Sequence, residues 1–267
     1  IIPTFDIDKA YAYKHKGIIR NVLSNLKDIW TRNSKQLSER QRVINGSQKD
    51  PFDNFDLMND IHSRGYDIKI FWLLGDYSKY DKNISHSHKR HIRLIKKMAD
   101  IATIGIHPSY KSNSNEFLLH TEIERLQHIL SKQIKNSRQH FLKLSFPKTY
   151  QTLIEHNIEN DYSMGYADVC GFRAGTARKH HWFNLETNER TKLLIHPFAY
   201  MDGTLNEYMK LSPEQAQEKI VELFMETKKH GGDFIFLWHN DTIGDYGHWE
   251  SWSQVLEFSL RLREINK

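Results

Sequence analysis

Short apolar runs rich in β-branched and aromatic residues alternate along this chain with longer stretches whose apolar positions recur at helical spacing. Runs at 1–7, 67–74, 102–107, 134–143, 167–173, 192–198 and 233–239 predict strands, and stretches near 52–64, 84–99, 115–132, 147–156, 212–230 and 249–264 predict helices. The helix from 212 carries the clearest signals. Ser212 can cap it, Pro213 suits its first turn, Gln215 completes a capping box and Gly231-Gly232 ends it. Segment 31–52 is polar and helix-like without a clean apolar face, which reads as a surface insertion. Alternating strands and helices predict a parallel α/β protein, either a barrel or a doubly wound sheet. No repeat or linker divides the chain, so residues 1–267 read as one domain. No glycine-rich phosphate loop follows a strand, and the glycines of Gly171-Phe-Arg-Ala-Gly175 fit neither a dinucleotide nor a P-loop spacing.

Acids and histidines gather at the ends of these strands. Asp6 and Asp8 close the first, and at i and i+2 they share a face. Asp76 and Asp81 lie just past the second strand, and His107 closes the third. Arg138 and His140 sit in the fourth, Arg173 closes the fifth, His196 lies in the sixth and His239 closes the last. In an α/β barrel the C-terminal strand ends build the active site, so these groups would converge. Any one of them alone reads better as a structural residue.

Composition narrows the classes. The 267 residues are 39% hydrophobic and 27% charged, as in a soluble globular protein. No apolar stretch approaches the ~20 residues that span a bilayer. The chain opens on a strand and without Met, which reads as a mature or excised piece. A single cysteine, Cys170, excludes an internal disulfide framework and a cysteine-based zinc site, and is expected to be a buried structural thiol. It is compatible with cytoplasm, periplasm or an outer surface. The net charge of +5 does not predict a nucleic-acid partner, because Lys and Arg are spread over helix faces such as 89–97. Such a face could attract an acidic polysaccharide or an anionic membrane.

The strand-end motifs together resemble the polysaccharide deacetylases, metal-dependent carbohydrate esterases. Thr4-Phe5-Asp6-Ile7-Asp8 resembles the first family motif and Gly105-Ile-His107-Pro-Ser-Tyr-Lys-Ser112 the second. Ser137-Arg138-Gln-His140-Phe-Leu stands where the third falls. Asp161-Tyr-Ser-Met-Gly165 resembles the segment after it, and Leu237-Trp-His239 the terminal motif. The resemblance implies a distorted (β/α) barrel of about seven parallel strands. It implies a divalent metal, usually Zn2+, and hydrolysis of N-acetyl groups on amino sugars of a glycan, here a bacterial surface polysaccharide. By position, Asp6 would be the general base, Asp8 and His107 metal ligands, and His239 the general acid, with Asp241 as a candidate to orient it.

One departure matters. The family places a second histidine four residues after His107, and this chain has Lys111 there, an ammonium that cannot ligate. Catalytic zinc usually keeps three protein ligands plus water, so one is missing. His140, on a neighbouring strand, is the replacement, ahead of Ser112, while His120 falls on a helix face. The other role open to His140 is to contact substrate or pair with Asp6. Arg138 and Arg173 could tether Asp6 or bind acidic substrate groups, and Tyr110, Tyr162, Trp238 and Asp81 are candidate substrate contacts. Two further functions stay open: a non-catalytic glycan-binding module, and a C–N hydrolase acting on a small non-peptide amide.

Overall fold

In the computed structural model, which describes residues 1–264, the chain opens on β1 (Ile2–Ile7), an interior strand of the sheet. It then forms α1 (Ile18–Trp30), α2 (Ser34–Ile44), α3 (Phe55–Ser63), β2 (Lys69–Trp72), α4 (Lys89–Ala99), β3 (Thr103–Ile106) and α5 (Glu116–Leu130). Next come β4 (Asn136–Ser137), α6 (Lys148–Glu155), β5 (Asn160–Asp161), β6 (His180–Asn184), β7 (Glu189–Ile195) and β8 (Tyr200–Met201). The chain ends with α7 (Pro213–His230), β9 (Ile235–His239) and α8 (Ser253–Arg261). Among the described residues no helix is long and apolar enough to cross a membrane.

The sheet runs β6-β7-β5-β4-β3-β2-β1-β9-β8, and every pairing is parallel except the β6–β7 hairpin. Its two ends belong to one path of chain. β7 pairs with β5, and only four residues later the chain pairs with β9 as β8. Counting that bent path once gives seven barrel strands, with the ladder interrupted at 196–199. This is the distorted (β/α) barrel the motifs imply.

The two-residue period of the strands sorts side chains into two layers. Phe5, Ile7, Ile70, Trp72, Ile104, Ile106, Phe236 and Trp238 form the outer core beneath the helices. Phe71, Ile235, Leu237, Phe198, Tyr162 and Leu142 fill the barrel itself. Gly105 belongs to this plug. It pairs with Phe71, and a Cβ at 105 would stand 2.6 Å from the Phe71 ring. The interior is therefore packed, and polar chemistry is confined to the layer above it, at the C-terminal strand ends.

Four expectations need correction. The strand expected at 134–143 shrinks to two residues, because Phe141 and Leu142 take positive φ (58° and 50°) that no strand tolerates. Segment 167–173 is loop, and β5 precedes it at Asn160–Asp161. Arg173 therefore closes no strand. The amphipathic helix α1 was not anticipated, and α2 lies within the polar 31–52 segment and packs on it. α7 matches its expected cap, with Ser212 and Gln215 in a capping box and Gly231 at φ 74° beyond its end. Cys170 is half-buried with its Sγ 3.6 Å from Met209 Sδ, and burial pushes the thiol up to about 11, in keeping with a structural role.

Candidate active site

Register brings the first two acidic and basic groups together. Asp6 of β1 pairs with His239 of β9, so both side chains rise from adjacent strands on the barrel face. Asp8 and His107 follow just beyond the ends of β1 and β3. Arg138 continues the β3–β4 pairing through its N–H to the Ile106 carbonyl, and the His140 N–H reaches the Pro108 carbonyl. Arg138 and His140 thus keep one face although the strand has formally ended.

Asp8, His107 and His140 form a group able to hold a metal ion, with one donor atom from each within 4.8 Å of the others. His107 Nε2 lies 3.2 Å from Asp8 Oδ1, and His140 Nε2 3.2 Å from Asp8 Oδ2. For bonds of 2.0–2.2 Å in tetrahedral geometry, ligand atoms stand about 3.3 Å apart, which matches. The outer nitrogens fix which ring atom faces inward. His107 Nδ1 lies 2.6 Å from the Arg138 carbonyl, which only accepts, so Nδ1 carries the proton and Nε2 is left to donate its lone pair. His140 Nδ1 lies 2.9 Å from Asp81 Oδ1, and Asp81 is itself held by the Ser78 hydroxyl and the Tyr110 N–H. Metal-ligating histidines are oriented in this manner.

Asp8 Oδ1 is buried without a hydrogen-bond partner, although the His107 nitrogen is close. A cation between them resolves that clash of lone pairs, so the donor set fits a divalent metal. Charge points the same way. Burial opposes ionisation of Asp8, yet the His140 and His107 imidazoles hold its carboxyl well below the usual range. Burial also disfavours charge on His140, and Asp8 and Asp81 overcome it, raising the imidazole to about 9.

Asp6 stands beside this group, with Oδ2 3.7 Å from His107 Nε2. Its other oxygen accepts from Arg138 Nη1 at 3.0 Å, and both side chains are fully enclosed. Arg138 also donates Nε–H to the Tyr162 carbonyl and lies over the Phe71 ring at 4.5 Å. On the opposite side, His239 Nδ1 lies 2.9 Å from Asp202 Oδ1. Asp202 is wholly buried, and its Oδ2 accepts the His239 N–H at 2.8 Å and the Thr242 hydroxyl at 2.5 Å. Burial works against a charged His239, and Asp202 outweighs it, so the imidazole is raised well above its ordinary value. Asp6, Asp8, His107, His140, Asp202, His239 and Thr242 line a cleft of about 520 Å³, together with the exposed Phe141 ring.

Two solved structures share this architecture, provisionally named polysaccharide deacetylases from Mycobacterium smegmatis and Pseudomonas aeruginosa PAO1. They match 99% and 100% of this chain and 83% and 86% of their own, with TM-scores of 0.59 and 0.57 at 14% and 12% identity. The chain has the polysaccharide-deacetylase fold. No protein-family model and no curated protein matches the sequence. At such low identity the likeness establishes the deacetylase fold alone.

Most of the expected site residues meet on the deacetylase fold, and some do not. Asp6, Asp8, His107, Arg138, His140 and His239 converge. Ser112 is turned away, donating to the Ser109 carbonyl, and His120 pairs with Glu124 on the exposed face of α5. Arg173 is not among the residues lining the cleft. Trp238 points into the outer core and is fully buried, because the strand period that turns Leu237 and His239 inward turns it outward. Tyr162 is buried in the barrel plug, stacked on His196 at 4.3 Å. Asp81 holds His140 rather than facing the cleft. Tyr110 is also not among the residues lining the cleft; it packs against Tyr80 and Phe141, with ring centroids 4.4 and 5.6 Å away.

Asp202 was missed. It carries the same signal as the other groups, an acid ending a strand, but β8 is two residues long and merges with the stretch before it. Asp241, the sequence candidate for orienting His239, instead lies 3.6 Å from Lys9.

Proposed function

We propose that this protein is a metal-dependent hydrolase that removes N-acetyl groups from the amino sugars of a glycan, of the kind found in bacterial surface polysaccharides. The observation that carries the reading is the order of groups across the cleft: an Arg-tethered carboxylate, a His2Asp donor set and a carboxylate-held imidazole, on a deacetylase fold. Two imidazoles and one carboxylate suit zinc with an open fourth position. A divalent cation bound there supplies a Lewis acid for the acetyl carbonyl and acidifies a water.

The chain's own residues divide the remaining work. Asp6 takes the proton from the attacking water, and Arg138 fixes the carboxylate so that one oxygen stays free toward the cleft. His239, kept protonated by Asp202, donates its proton to the leaving amide nitrogen. The carbon gains the water oxygen, the C–N bond breaks, and the products are acetate and the free amine. The exposed Phe141 ring offers an apolar face on which a sugar ring stacks. What favours catalysis over glycan binding alone is His140, which restores the third ligand that Lys111 removes.

The test is acetate release from N-acetylglucosamine oligomers by zinc-loaded protein, with metal content measured alongside. Asp6→Asn should retain stoichiometric metal and lose about 10²–10⁴-fold in turnover. Metal-loaded wild type that releases no acetate, or an Asp6→Asn variant as fast as wild type, overturns the reading.

A further inference from the structure

Beside the cleft lies a second groove of about 510 Å³ that the chemistry above does not use. The two share Lys9, Phe52 and Tyr246 on their common rim, so a chain of sugars can run from one into the other. Among the described residues four cations line this groove, Lys9, Lys16, Arg20 and Lys82, and no carboxylate does. Lys9 is paired with Asp241. Among the described residues, no ion pair engages Lys16, Arg20 or Lys82.

The cations are arranged around an aromatic. The exposed Tyr77 ring has the Arg20 guanidinium 4.1 Å from its centroid and the Lys82 ammonium 4.8 Å away. Tyr13 and Tyr246 close the other side, their hydroxyls 3.1 Å apart and both within reach of Glu39, which turns that carboxylate away from ligand duty. Lys16 is half-buried, and burial together with the Arg20 charge pushes its ammonium down to about 8. The buried Asp50 offsets part of the charge on Lys16, and an anion in the groove would offset the rest.

The walls are fixed rather than loose. Asp50 is buried and accepts three successive backbone N–H groups, from Ala12, Tyr13 and Lys14, at 2.8–3.0 Å. Asn83 ties the loop after β1 to the loop after β2, donating to the Ile7 and Leu73 carbonyls and accepting from the Ala10 N–H. Thus the loops that carry Lys16 and Lys82 are anchored by buried polar groups.

We propose that this groove is a subsite for an acidic sugar residue, one bearing a carboxylate or sulfate, next to the N-acetylated sugar in the same glycan. The inference rests on the deacetylase reading for the neighbouring residue. Tyr77 supplies a face for the sugar ring, and Lys16, Arg20 and Lys82 supply charge-assisted hydrogen bonds to its anionic group.

Calorimetry with three probes tests it: an oligosaccharide alternating N-acetylglucosamine and glucuronic acid, its sulfated counterpart, and a neutral N-acetylglucosamine oligomer of equal length. An acidic probe should bind wild type at least roughly tenfold tighter than the neutral one. The K16Q/R20Q/K82Q variant should lose that preference, with its circular dichroism and metal content unchanged, and the charge-conserving K16R/R20K/K82R variant should keep it. Either acidic probe satisfies the proposal, and the tighter of the two names the group. Equal affinity of acidic and neutral probes for wild type, or a preference that survives loss of the three charges, overturns it. Acetate release without any acidic preference leaves the deacetylase reading standing and removes this one. Charge-dependent binding of an acidic probe without acetate release does the reverse.

Discussion

His91, on α4 in the layer between helices and sheet, and His140, at the top of the barrel, are both buried, and burial leaves them in opposite charge states. His91 packs on Trp72, has among the described residues backbone carbonyls for hydrogen-bond partners, and is pushed down to about 4 by desolvation. His140 has the same desolvation against it but faces Asp8 and Asp81, and is raised to about 9. His196 repeats the first case, beside Asn160 and lowered to about 4, and His239 the second, beside Asp202. Burial of the ring does not mark function. What distinguishes the upper layer is an excess of buried carboxylate, which calls for a cation at the point where Asp8 meets two imidazoles. A proton satisfies that demand at low pH and a metal at higher pH, so metal affinity should fall on acidification.

The sharpest way to break the contrast is to remove a proposed ligand from the upper layer. His140→Ala should leave the fold intact and strip the metal from purified protein, with acetate release falling below detection. Retained stoichiometric metal in that variant would return His140 to a mere substrate contact. Next in size is Asp202→Asn, which takes the counter-charge from His239. Its imidazole should titrate lower, moving the alkaline limb of the rate profile to lower pH, and turnover should drop by about 10²-fold, within the range for a lost general acid. An unchanged alkaline limb would mean that another group donates the proton. Asp81→Asn acts one step further out, on the orientation of His140. It should weaken metal binding by about 10–100-fold while sparing the rate at saturating metal. Competition with a chelator measures it directly.

The contrast also explains what could be read from the chain. Strand-end acids and histidines are legible because a strand end is a local feature, and Asp6, Asp8, His107 and His239 all carry it. The pairing of Arg138 with His140 was legible through the two-residue period, which holds across 138–140 even though the strand stops at Ser137. Trp238 illustrates the limit of proximity in sequence. One step from His239, it belongs to the other face, and the period decides. Asp202 was hidden because two-residue β8 gains its identity only by pairing with β9, a contact 36 residues distant. The supposed strand at 167–173 failed for the converse reason. Its apolar residues suit a strand, but Gly171 at φ 128° and Gly175 at φ 69° turn the chain back on itself.

The smallest effect concerns the lower histidine, and it has no bearing on catalysis. His91 titrates near 6.5 in an unfolded chain and at about 4 in the fold, so between those values the unfolded state holds more protons. Stability therefore rises with pH across this window and is lost as pH falls from about 6.5 toward 4. The imidazole should account for about 3 kcal/mol of acid destabilisation, since the ring is fully enclosed and solvent screens little of it. His91→Leu replaces the ring with an apolar group of similar size and gives up the contact with the Ser85 carbonyl, 3.2 Å from Nδ1. That loss should cost about 1 kcal/mol at pH 8, where the histidine is neutral in both states. On acidification the order reverses, because the variant has no proton to exclude. Urea unfolding of both proteins from pH 8 to pH 4 should show the two stability curves crossing between pH 6 and pH 5. Asp8 and the other low-titrating carboxylates destabilise both proteins alike in acid, so the crossing isolates His91. Parallel curves would mean that His91 takes its proton inside the fold, and the layer beneath the helices would then tolerate the same charge as the site above it.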